Sequence, residues 1–102
     1  MDNHFTEQDW KLFRTKIVGW QEDYMKRLNQ EYIEILTTDA DASEKFWTLE
    51  KRIRKDKRSV GVQIDMRRSS MIDNLRALFA ESVINEKDLE PFSKELKNQL
   101  HI

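Results

Sequence analysis

The residues best suited to recognising a ligand in this chain are basic. KRIRKDKRS, residues 51–59, holds Lys51, Arg52, Arg54, Lys55, Lys57 and Arg58 against one acid, Asp56. The chain as a whole has 102 residues and a formal net charge of -1. Arg67 and Arg68 follow a short distance on. If the intervening segment folds back, eight cations share a patch, and phosphates would bind there with a steep salt dependence. The same run also fits the last turns of a helix, where cations meet the negative end of the macrodipole. Glu50 lies four residues before Arg54, the favourable order for a pair on a helix surface. We prefer this second reading, a solvated and internally paired face, and keep anion or nucleic-acid contact as the alternative.

Other chemistry finds little support. There is no cysteine, which excludes thiolate nucleophiles, disulfides and cysteine metal sites. The two histidines, His4 and His101, stand near the ends, in no zinc- or iron-binding spacing. Asp39, Asp41, Ser43 and Glu50 match four ligand positions of a calcium loop. Glu44 stands where that loop needs its turning glycine, so a linker and helix start is the better reading. Glu22, Asp23, Glu31 and Glu34 read as the wet side of a helix. Ser69 and Ser70 read as helix-start residues, with no histidine placed to activate them. We therefore expect no catalytic, cofactor-binding or metal-binding residues, and no enzyme.

The elements that would carry these residues are helical. Two glycines and one proline are few for a fold built of tight turns, while helices need no more. Thr6 and Asp9 resemble a capping box. Trp10, Phe13, Ile17, Trp20, Tyr24, Leu28, Tyr32 and Ile35 then recur at steps of three and four, one face of a helix. The stripe passes Gly19 in phase, which predicts one helix over 7–36, about 45 Å long. Gly19 would mark a bend or a close crossing. Residues 37–43 are a linker, with Asp41 and Glu44 as a second box. A helix over 42–57 turns Phe46, Leu49 and Ile53 to the core, with Trp47 to one side. Val60, Val62 and Ile64 alternate like a strand, but one strand has no partner here. The preferred reading is a turn over 59–65 that inserts Val60 and Val62 into the core, with a dimer-forming intermolecular strand as the alternative. A third helix is expected over 64–82. A fourth should be capped by Asn85 and Asp88, with Pro91 distorting its first turn or delaying its start.

This predicts an all-α fold: a small bundle of about four helices, the N-terminal one long and the other three shorter, in a single domain over 1–102. No short helix matches the first. Either two stack end to end along it, or part of its stripe meets a second subunit. Trp10, Trp20, Tyr24 and Tyr32 on that stripe, with Trp47, are the candidate interaction residues, since Trp and Tyr anchor interfaces.

The chain is acidic over 1–50, basic over 51–68 and acidic again over 69–102. No signal peptide or membrane span is evident, so a cytoplasmic protein with no membrane partner is expected. The runs GWQEDYMKRLNQEYIEIL, EKFWTLEKRIRKDKRSVGVQIDMRRSSMIDNL and INEKDLEPFSKEL together resemble a family of small bacterial helical proteins of unassigned function. The resemblance implies a bacterial, cytoplasmic protein and transfers no catalytic residue or substrate. The expected role is that of an interaction or accessory protein whose partner is a second copy or another protein. A nucleic-acid-associated regulator using residues 51–68 is the rival.

Overall fold

The first helix, α1, runs from Glu7 to Leu36 in the computed structural model, which describes residues 5–102; His4 lies outside them. Its start is a complete capping box. The Asp9 N–H donates to Thr6 Oγ1 at 3.0 Å, and the Thr6 N–H donates to Asp9 Oδ2 at 2.9 Å. Such a cap stabilises a helix by about 1 kcal/mol. At the far end the Thr37 hydroxyl and N–H both donate to the Ile33 carbonyl, at 2.9 and 3.0 Å. The helix passes Gly19 unbroken, and a methyl group there would meet nothing within 4 Å. This glycine marks no close crossing.

A tight turn leads into α2, Ala42–Asp56, which packs back along the outer part of α1. The expected box at Asp41 and Glu44 does not form, because the Asp41 side chain makes no capping bond. The chain then descends the length of α1 without regular structure. Gln21 Nε2 donates to the Val60 carbonyl at 3.0 Å, and Gly61 is buried against the Tyr24 ring. Val62 and Gln63 both donate their N–H to the Ser59 carbonyl. Residues 59–62 are thus a turn, and no strand exists among the described residues. Val60 packs on the core and Val62 is half-buried.

The third helix begins later than its apolar spacing predicts. A 3-10 turn at Arg68–Ser70 leads into α3, Met71–Ala80. The reason is local. Asp65 accepts from the Arg67 N–H at 3.2 Å and from its Nε at 2.7 Å, a side-chain turn that competes with helix. Asn74 Nδ2 then holds the Asp65 carbonyl at 2.7 Å. α3 closes in a Schellman motif: Val83 N–H donates to Leu78 O at 2.9 Å around Ser82, whose φ is 60°. Arg27 ties this corner to α1 through the Ser82 carbonyl at 2.9 Å.

The expected fourth helix is divided. The Asn85–Asp88 capping box is present, but it closes only a 3-10 turn, Glu86–Leu89. Pro91 has no N–H to continue a helical ladder. Helix α4, Lys94–Gln99, starts afresh on the Ser93 hydroxyl, which accepts from the Leu96 N–H.

The core lies around the inner part of α1. Phe13, Ile17 and Trp20 meet Met71, Leu75 and Leu78 of α3, and Val83, Ile84, Leu89, Phe92 and Leu96 close over them. Each fully buried side chain of this kind contributes roughly 1.5–3 kcal/mol. One buried acid fastens the ends of the chain. Asp9 Oδ1 accepts from the Ser93 N–H at 2.8 Å and Oδ2 from its hydroxyl at 2.5 Å. Burial pushes this carboxyl up, but its hydrogen bonds to Ser93 and Thr6 outweigh that and hold it below the usual range.

The result is an all-helical bundle of four helices, one long and three short, with extents of 56 × 23 × 22 Å. α1 is the spine. Its inner part carries a body of α3, α4 and the turns, and its outer part pairs with α2. The long stripe is thus covered end to end by its own chain. Trp20 is in the core, and Trp10, Tyr24, Tyr32 and Ile35 are half-buried.

Candidate interaction surface

Two helices packed alone cover only the sides they turn to each other. α1 beyond the body and α2 form such a hairpin, and its inner seam is polar as well as packed. The Tyr32 hydroxyl donates to Asp56 Oδ2 at 2.7 Å. Arg52 Nη2 donates to the same oxygen at 3.2 Å and to Glu31 Oε1 at 2.6 Å. The Arg52 guanidinium also lies 5.7 Å from the Tyr32 ring centroid. Burial, and then the hydrogen bond to Asp56, push the Tyr32 hydroxyl up to about 12. This seam locks the two helices in register.

One flank of the hairpin is apolar and open. Phe46, Leu49 and Ile53 line a depression with Glu50, Arg54 and Lys57. Ile53 and Lys57 also line the next one, with Met25, Leu28, Tyr32 and Val62. The shared residues make the two depressions one groove. At about 100° per residue, Leu36 falls on the same side of α1 as Met25 and Tyr32, while Ile33 is turned away from Tyr32. The large apolar side chains here are exposed: Leu36 by 46%, Phe46 by 61%, Trp47 by 63% and Ile53 by 43%. Trp47 stands edge-on to Phe46 with ring centroids 5.0 Å apart. Exposed apolar surface of this kind is characteristic of binding sites.

The sequence-based expectations need correction here. The spacing points Phe46, Leu49 and Ile53 to the core, yet no third element among the described residues covers Phe46 or Ile53. Their spacing identifies the apolar side of α2 and says nothing of what lies over it. Of the five aromatic candidates, Trp47 is open to solvent. Trp20 has no ring surface to offer. Trp10 stacks on Phe13 at 6.1 Å, Tyr24 lies under Arg27 and Tyr32 belongs to the seam. Leu36 is absent from the sequence-based candidates. Its signal is a second row on α1, Val18–Met25–Leu36, beside the main stripe.

The eight cations do not form one patch. Arg52 is held at Glu31, while Arg68 pairs with Glu7 at 3.0 Å and lies over Phe5. Those two acids are 24 residues apart on one helix, about 36 Å along its axis. Arg67 is bound to Asp65, and Arg54 grips Glu50 through both Nε and Nη2. Lys51, Lys55, Lys57 and Arg58 form no ion pair among the described residues and gather at the root of the hairpin.

Of the calcium-loop positions, Ser43 and Glu50 lie within straight α2, and Glu50 is engaged by Arg54. No cluster of three metal-binding side chains occurs among the described residues, and no helix there is long and apolar enough to cross a membrane. Comparison with protein-family models, with curated proteins and with solved structures finds no match to this chain.

Proposed function

We propose that this protein is a non-catalytic helical interaction module that engages a protein partner through the open flank of the α1–α2 hairpin. The observation that carries the reading is the exposed group Phe46, Trp47 and Ile53 on the side to which Leu36 also turns, presented on a seam made rigid by Tyr32, Asp56 and Arg52. Aromatic side chains held in place on helices lose little freedom on binding, which favours their use as anchors. The rival reading, contact with nucleic acid, would have to run on Lys51, Lys55, Lys57 and Arg58 alone.

The test is a photoreactive residue placed at Trp47 and, as a control, at exposed Lys94 on the body. Irradiation in the native cell should yield a protein adduct from position 47 and none from 94. Excess wild-type protein should compete for it, and a Phe46→Ser, Ile53→Ser double variant should not. Equal adducts from both positions, or none from 47, would overturn the reading.

A further inference from the structure

Building on that surface, we propose that its occupant is a second copy of this chain, docked antiparallel across a two-fold axis. The argument is electrostatic. The hairpin tip, residues 34–44, carries four acids and no base. The root, residues 51–58, carries six bases and one acid. Internal pairing leaves Asp39 and Asp41 free at the tip, and Lys57 and Arg58 free at the root, among the described residues. Tip and root are separated by the length of α2, about 21 Å. A flank with an acid end and a basic end is complementary to itself turned end for end. Parallel docking would instead set acid on acid.

Register follows from the apolar row. A two-fold axis crossing α2 near Glu50 sets Phe46 against the partner's Ile53 and Ser43 against the partner's Lys57. That lysine, which lines both halves of the groove, then comes within side-chain reach of Asp41. Each contact is made twice, as a closed dimer requires. The face is two helices wide over the length of α2 and measures about 21 by 20 Å. Two such faces bury about 840 Å², below the usual size of stable specific interfaces, so the dimer should be weak, transient and concentration dependent.

Sedimentation from about 1 µM to about 1 mM tests this. Wild-type protein should pass from monomer to dimer, with the dimer weakened by salt. A tip variant, Asp39→Lys with Asp41→Lys, and a root variant, Lys57→Glu with Arg58→Glu, should each lose about tenfold or more in self-association. All four positions are exposed, and unchanged circular dichroism confirms the fold. Mixed together, the two variants should recover dimers, because every tip then faces an opposite root. A wild-type monomer throughout overturns the self-docking proposal, and so does a dimer indifferent to both reversals or a mixture without recovery. If the position-47 adduct with a foreign protein persists alongside a monomeric wild type, the surface stands and only its occupant changes.

Discussion

Gly61 and Gly19 are the only glycines in the chain, and alanine should act on them with opposite signs. A methyl group at Gly61 would overlap Tyr24 Cδ2 and come within 2.7 Å of its Cγ and Cε2. Cγ is the ring atom nearest the backbone, so rotation of the ring does not clear it. The ring is also overlaid by Arg27, whose guanidinium carbon is 5.2 Å from the centroid. Either α1 and the 59–62 turn separate or Tyr24 leaves its place. Overpacking of this kind costs about 1–3 kcal/mol, a fall in Tm of roughly 10 °C for a chain this size. Gly61 does not have a positive φ, so backbone strain adds nothing and the cost is steric. In a Tyr24→Ala background the penalty should vanish or change sign, since alanine also restricts the unfolded chain by about 0.4–1 kcal/mol. Gly19, with open space around it, should gain about 1 kcal/mol from alanine. Urea denaturation of the four Gly61/Tyr24 combinations and of Gly19→Ala measures all of this. An equal Gly61→Ala penalty with and without the Tyr24 ring would refute the reasoning.

Two further outcomes concern protons. Asp9 has a carboxyl held low in the folded state, so its share of stability is present above the unfolded value of about 3.9 and is lost as pH falls through the lower folded value. Asp9→Asn should therefore cost about 1–3 kcal/mol near neutrality and flatten the acid limb of stability against pH; an unchanged acid limb contradicts the clasp to Ser93. Tyr32 has a hydroxyl raised to about 12, so its contribution is complete below the unfolded value of about 10 and disappears as pH climbs toward 12. Ultraviolet titration should find this late phenolate transition in wild type and lose it in Tyr32→Phe; a surviving late transition would place it elsewhere.

Much of the fold can be read from the residues because its signals are local. Thr6 and Asp9 announce the start of α1, the steps of three and four carry its face through Gly19, and Asn85 with Asp88 marks a real cap. What escapes is either a local side-chain turn or proline that competes with helix, or a feature that depends on long-range placement. Asp65 unwinds the start expected for α3 because it finds Arg67 and Asn74. Pro91 turns one helix into a 3-10 turn and a short helix. The row Phe46–Leu49–Ile53 looks like any core stripe, because spacing reports which side of a helix is apolar and not whether a neighbour arrives. Likewise Arg52 of the basic run and Arg68 are near each other in sequence but are drawn to Glu31 and Glu7, far apart on one helix.

The fastening of Asp9 to Ser93 has a consequence for biosynthesis. It joins positions 84 residues apart, so the body cannot close until Ser93 has left the ribosome. The hairpin, whose Glu31–Arg52 and Tyr32–Asp56 partners are 21 and 24 residues apart, has far lower contact order and forms sooner. Its oily flank is therefore on display in the nascent chain before the rest of the molecule exists, and association between neighbouring polysomal chains can begin there.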